Sequence, residues 1–258
     1  MKILYKHASE SLHSFIQKCK QEGYLQGKYC YCGRLDPMAS GKMLFLEDKE
    51  CSNMPSFLKC DKEYEFEIGL GISTDTDDIL GIIKEVNFET LNTFDSMNIL
   101  DEQLQTLLNQ TTQQYHKFSA FKIKHNNTRI NLCELSKQHN LNKNNIPSKP
   151  CNVYSIKKLN KKTVNLTYYI DIILQKLEAL HDPNDYYRKN EIIKRWKDFK
   201  YTIPKYMDLS FIIYKYKITA SSGFYIRQLI ADLKHKCNFP LIALNIKRTQ
   251  IYKDGSNN

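Results

Sequence analysis

In the stretch YCGRLDPMASGKMLFL one carboxylate, Asp36, stands between Leu35 and Pro37 in a loop bounded by Gly33 and Gly41. A proline drives the residue before it away from right-handed helical backbone toward extended backbone, while glycines permit sharp reversals. The Asp36 side chain is therefore aimed. Two uses suit an acid placed this way: it caps its own turn, as Asp often does beside Gly and Pro, or it serves as an anionic nucleophile or charge stabiliser. Local sequence leaves both open. Two other clusters suggest metal chemistry and fail on spacing. Cys30 and Cys32 form a C-x-C pair with Cys51 and Cys60 downstream, but neither C-x-x-C spacing nor paired histidines complete a zinc site. Asp75, Asp77 and Asp78 in TDTDD lack the glycine and terminal glutamate of an EF-hand calcium loop.

The elements that must carry these groups read as helices alternating with strands. Residues 11–27 predict an amphipathic helix, with Leu12, Phe15, Ile16 and Cys19 at helical spacing and Gly23 near its end. In KEYEFEIGLGIS, Tyr64, Phe66 and Ile68 alternate with Glu63, Glu65 and Glu67, the pattern of a half-buried strand. Residues 98–110 predict a short helix with Leu100, Leu104, Leu107 and Leu108 on one side. TVNLTYYIDIIL and FIIYKYKIT read as strands, and in the second Ile212, Tyr214, Tyr216 and Ile218 share a face. SSGFYIRQLIADLKHK then predicts a helix capped by Ser221 or Ser222, with Ile226, Leu229, Ile230 and Leu233 as its apolar stripe and Tyr225 and Arg227 in its first turn. Residues 122–150, basic and asparagine-rich, read as a mobile flap; residues 175–208 read as a polar turn followed by a basic helix in which Trp196 is a packing anchor.

The net charge of +10 is unevenly spread. Up to residue 110 there are 11 basic against 18 acidic side chains, and beyond it 27 against 10. A basic excess interleaved with Tyr and Phe favours a phosphate backbone with unstacked bases as the partner. No basic amphipathic helix points to a membrane surface instead. With 258 residues and 41% hydrophobic composition the chain can bury a substantial core. It has neither an apolar run of the ~18 residues a membrane span needs nor a hydrophobic leader, so a soluble, intracellular protein is expected. Eight scattered cysteines are expected as free thiols.

Five segments, GRLDPMASG, KEYEFEIGLGISTDTDDILG, KFSAFKIK, IPSKPCNVYSI and SGFYIRQLIADL, occur in an order and spacing that resembles the TruB type of tRNA pseudouridine synthase over most of residues 1–250. The resemblance implies an α/β (α+β) fold with a mixed, largely antiparallel central sheet flanked by helices. It implies one catalytic domain over residues 1–258, with an RNA-clamping insertion at 115–150 and an extra basic segment at 175–208. The RNA-binding PUA domain that many relatives append is not expected here. The implied reaction is isomerisation of a uridine in RNA to pseudouridine, without cofactor or metal, most specifically at uridine 55 in the tRNA T loop.

By the same resemblance the catalytic aspartate is Asp36, the active-site tyrosine is Tyr64 of KEY, and the arginine is Arg227 of FYIR. Arg227 would pair with Asp36 and hold it ionised. RNA contacts are implied at Tyr31, Arg34, Phe118, Lys122, Lys124, Arg129, Tyr225 and Ile246, and Thr74, Asp75 and Thr76 become supports of the site. Three positions depart from the family pattern. Tyr31 replaces the histidine five residues before the aspartate, Tyr115 and His116 replace the proline region before the SALK-like FSAFK, and YKHASES keeps Lys6 but loses a glycine. A cytoplasmic monomer bound to the T arm of tRNA, or to another structured RNA, is expected, with the nucleus also open. The rival reading is an RNA-binding or folding-chaperone protein that keeps the cleft without turnover.

Overall fold

The computed structural model describes residues 1–87, 95–125, 127–138, 141, 145–204 and 209–252. Among them the strands are β1 (Lys2–Lys6), β2 (Tyr29–Tyr31), β3 (Ala39–Glu47), β4 (Asp61–Leu70), β5 (Ile72–Thr74), β6 (Ile83–Val86), β7 (Thr112–Gln114), β8 (Lys122–His125), β9 (Thr128–Asn131), β10 (Ser148–Pro150), β11 (Val153–Asn165), β12 (Ser210–Ala220) and β13 (Leu241–Tyr252). The helices are α1 (Leu12–Gln21), α2 (Met54–Leu58), α3 (Asp95–Gln105), α4 (Leu132–Lys137), α5 (Leu166–Glu178), α6 (Lys189–Thr202) and α7 (Ile226–Cys237).

The main sheet runs β1-β3-β13-β4-β12-β11, with β2 also on β3. Only the β3–β13 pairing in it is parallel. This is the mixed, largely antiparallel sheet of the sequence reading. Period-two alternation splits β12 between two cores. Tyr214, Tyr216 and Ile218 face one side with Phe66 and Ile68 of β4, beneath α1, α3 and α7. Phe211 and Ile213 face the other, with Ile242 and Leu244 of β13, beneath α5 and α6. Gly69 makes room on this second side, because a Cβ there would lie 2.4 Å from the Phe211 ring. Trp196 is wholly buried in the same core, the packing role its type suggests.

Three local expectations are corrected. TVNLTYYIDIIL is not a strand beyond Asn165. The Asn165 side chain accepts the Tyr168 amide and starts α5, whose Leu166, Ile170, Ile173, Leu174 and Leu177 fall at helical spacing onto the second core. Tertiary burial of that stripe overrides the strand preference of its β-branched and aromatic residues. The cap of α7 is Tyr225, not a serine: Ser221 Oγ accepts the Asn152 amide and Ser222 Oγ donates to the Leu58 carbonyl, so both are spent before the helix begins. Leu100, Leu104 and Leu107 are buried, but Leu108 is exposed, since the chain tightens into a 3-10 turn at Thr106–Asn109 and rotates that residue outward.

Within 122–150 the structure forms the β8–β9 hairpin, α4 and β10, which pairs with β7. Residues 126, 139–140 and 142–144 of this stretch, and 205–208 of the basic segment, lie outside the described residues. All eight cysteines carry free thiols. No helix among the described residues is long and apolar enough to cross a membrane.

Candidate active site

The aspartate loop is held from below by two buried cations. Lys6, at the inward end of β1, donates through Nζ to the carbonyls of His7 at 2.9 Å, Asp36 at 3.2 Å, Pro37 at 3.2 Å and Ala39 at 2.8 Å. Burial lowers its pKa to about 8 against the pull of Glu10 and Asp36. Arg248, on β13, donates to the Gly33 carbonyl at 3.2 Å and to that of Lys42 at 2.7 Å. Gly41 permits this approach, because a Cβ there would sit 2.2 Å from the Arg248 carbonyl oxygen and its φ is +124°. The sequence reading kept Lys6 without a role and missed Arg248. The available signal was a charged side chain on the inward parity of a strand, two residues after an apolar one: Leu4 before Lys6 and Ile246 before Arg248.

Above that support, Arg227 in the first turn of α7 donates from Nε to Asp36 Oδ2 at 2.7 Å and from Nη2 to the Phe118 carbonyl at 3.2 Å. The Arg227 side chain is buried, whereas that of Asp36 remains 33% exposed. The acid thus faces an opening while its partner does not. Burial alone would raise the Asp36 pKa, but the Arg227 guanidinium and its hydrogen bond outweigh that and hold the carboxyl below its usual range. Asp36 is ionised at neutral pH. Arg227 is in turn held protonated by Asp36 and Asp78 despite its burial.

Asp78 is a third member that sequence reasoning did not place here. Its Oδ2 lies 3.7 Å from Arg227 Nε, and its Oδ1 accepts the Thr76 hydroxyl at 2.7 Å and the Leu80 amide at 3.0 Å. Burial, reinforced by nearby Asp36 and opposed by Arg227, raises its pKa to about 6. The other TDTDD carboxylates are also committed within the protein. Asp75 accepts the Ile82 amide and Arg188, and Asp77 accepts His116 and Lys234. Thr74 donates to the Asp78 carbonyl at 2.6 Å, so Thr74, Asp75 and Thr76 all brace this turn.

Asp36, Arg227, Tyr64, Arg34, Tyr225 and Ile246 line one cleft of about 370 Å³. Tyr64 comes from β4, in register with Ile218 and Arg248 of its neighbours, and is half-buried. The cleft therefore joins an ionised acid, a guanidinium and a phenol in a space of ligand size. Not every expected residue is there. Phe118 borders a second cleft beside it. Tyr31 packs edge-on against Phe45 at 6.3 Å, with the Arg34 guanidinium 5.8 Å from its ring centroid, and lines neither cleft. Lys122, Lys124 and Arg129 are exposed on one face of the β8–β9 hairpin and also line neither.

Residues 20–174 match the model described as TruB family pseudouridylate synthase, N-terminal domain. The chain belongs to the TruB family. Asp36 and Tyr64 lie inside the matched span, and Arg227 beyond it. A tRNA pseudouridine synthase B of Oceanobacillus iheyensis is 28% identical over 120 residues, covering 46% of this chain and 39% of that protein. A chain in the crystal structure of a Cbf5–Nop10–Gar1 complex superposes with a TM-score of 0.47 at 13% identity, over 98% of this chain and 50% of that one. A chain in the structure of an H/ACA ribonucleoprotein bound to a substrate RNA containing 2′-deoxyuridine gives 0.45 at 14% identity, over 98% and 48%. The chain thus spans about half the length of those structures, and its match to the Oceanobacillus protein spans less than half of that relative.

Proposed function

We propose that this chain isomerises a uridine in RNA to pseudouridine, with uridine 55 of the tRNA T loop as its target, acting as a cytoplasmic monomer. The observation that carries the reading is the ionised, part-exposed Asp36 held at 2.7 Å by buried Arg227 in the cleft that Tyr64 lines. Membership of the TruB family supports it. The tRNA substrate is taken from the name of the Oceanobacillus relative.

In this reaction the C1′–N1 bond breaks, uracil turns within the cleft, and a C1′–C5 bond forms. A proton leaves C5 and one is gained at N1, so no co-substrate is consumed. Asp36 supplies the anionic oxygen that carries the nucleoside through detachment. Arg227 keeps that oxygen ionised and directed. Tyr64 stacks on the uracil ring, and its phenol is placed to take part in the C5 proton transfer. Drawing the uridine out of its stack costs a few kcal/mol, offset by phosphate contacts from the exposed Lys122, Lys124 and Arg129.

The test treats an in-vitro tRNA transcript with the protein and maps carbodiimide-reactive pseudouridine. Product at position 55, with Asp36→Asn slower by roughly a thousandfold or more, is the expected outcome. Equal product from Asp36→Asn would refute the role of the acid. Tight RNA binding with no tritium release from 5-tritiated uridine would instead favour an RNA-binding protein without turnover.

A further inference from the structure

On the other side of the Asp36–Arg227 pair lies the second cleft, of about 210 Å³. Arg34, Leu35, Asp36, Ala120 and Arg227 border both openings, so the two clefts adjoin across these residues. Its far wall is the turn at residues 181–188, outside the span that matches the family. That turn is built in advance. Asp182 accepts the amides of Tyr186 and Tyr187 at 2.9 and 2.8 Å, which sets both rings, 5.0 Å apart and edge to face, at the cleft. Arg188 fastens the turn to the core, donating to Asp75 at 2.8 Å while its guanidinium lies 5.1 Å from the Phe118 ring centroid.

The charges here do not cancel. Arg227 answers Asp36 and Arg188 answers Asp75. Two cations are left over at the rim. Arg34 is exposed and makes no ion pair among the described residues, and the Lys137 ammonium rests 4.0 Å from the Tyr186 ring centroid while donating to the Tyr186 carbonyl. The one remaining acid in the lining, Asp78, is buried against Arg227. Between rim and floor the walls are apolar, from Leu12, Pro37 and Leu80. Half-exposed aromatic rings beside surplus cations, over apolar walls, are what an unstacked nucleotide requires of a protein.

We infer that this second cleft seats the nucleotide adjoining the target uridine, its base against Tyr186 and Tyr187 and its phosphate on Arg34 and Lys137. The assignment rests on the reading that the chain acts on RNA. It makes the 181–188 turn, which lies beyond the span that matches the family, part of the substrate surface.

A stem-loop RNA carrying 4-thiouridine on either side of the target is irradiated with the full Asp36→Asn chain. Cross-links at residues 131–137 or 186–188 are expected, and cross-links confined to other segments overturn the assignment. This readout needs neither turnover nor a variant in the turn. In turnover, Tyr186→Ala is expected to raise KM for the intact RNA about five-fold or more, and to lose little further when the neighbouring nucleotide is made abasic. If abasic replacement weakens the unaltered chain and Tyr186→Ala equally, the ring does not hold that base. Absence of pseudouridine with the unaltered chain defeats the proposed reaction, while the cross-link still decides the subsite.

Discussion

His116 has its protonation state set by its two neighbours. Nδ1 accepts the Phe118 amide at 3.1 Å, so Nε2 carries the proton and donates to Asp77 at 3.1 Å. The ring serves as a neutral connector between the Phe118 segment and the TDTDD turn, at a position where the family pattern has its proline region. Burial and the Arg227 charge lower its pKa to about 4, against the opposing pull of Asp77. The unfolded chain takes up this proton near the ordinary value of 6.5 and the native one only near 4, so stability falls as pH drops between those values. The loss is about 3 kcal/mol at most. Asp78 acts in the opposite sense over part of the window, since its raised pKa of about 6 makes the native state the better proton acceptor. Urea unfolding at pH 7 and pH 4.5 is expected to show the unaltered chain losing about 2 kcal/mol more than His116→Gln; parallel losses would mean the ring is protonated in the fold.

At the scale of elements, α5 shows a short polar signal deciding between strand and helix. β11 continues to Asn165, and one residue later the chain is helical because the Asn165 side chain satisfies the Tyr168 amide at 2.9 Å. Asn165→Ala is expected to cost about 1 kcal/mol, seen as a melting temperature lowered by about 2–4 °C; an unchanged melt would show that the cap does not define this boundary. The same element places Ile170, Ile173 and Leu177 in one core with Trp196 of α6, and the two helices together close the second face of the sheet. That closure gives the 181–188 turn between the two helices a fixed base beside the second cleft.

For the molecule as a whole, the uneven charge takes a definite shape in the β8–β9 hairpin. Lys124 pairs in register with Arg129, and Lys122 lies two residues from Lys124 on the same face, so three exposed cations stand together. Changing all three to Gln is expected to weaken RNA binding similarly for different sequences and to reduce the slope of log K against log salt by about 2 to 3. Titrations between 50 and 200 mM salt check this, and an unchanged slope would place the phosphates elsewhere. The sequence by itself determined what depends on near neighbours: the direction of Asp36 before Pro37, the alternation of β4, the stripe that buries α7 with Arg227 in its first turn, and the family motifs. Only the tertiary structure decided what depends on distant segments meeting. Asp36 and Arg227 are 191 positions apart, and Arg248 reaches the Gly33 carbonyl across 215. Asp78 joins that cluster, and Tyr31 turns onto Phe45 and away from the cleft, for reasons no local pattern contains. TVNLTYYIDIIL suits either periodicity until a second sheet face needs covering. A buried charge or an ambiguous apolar run takes its role from the partner that packing supplies, and that partner lies far along the chain.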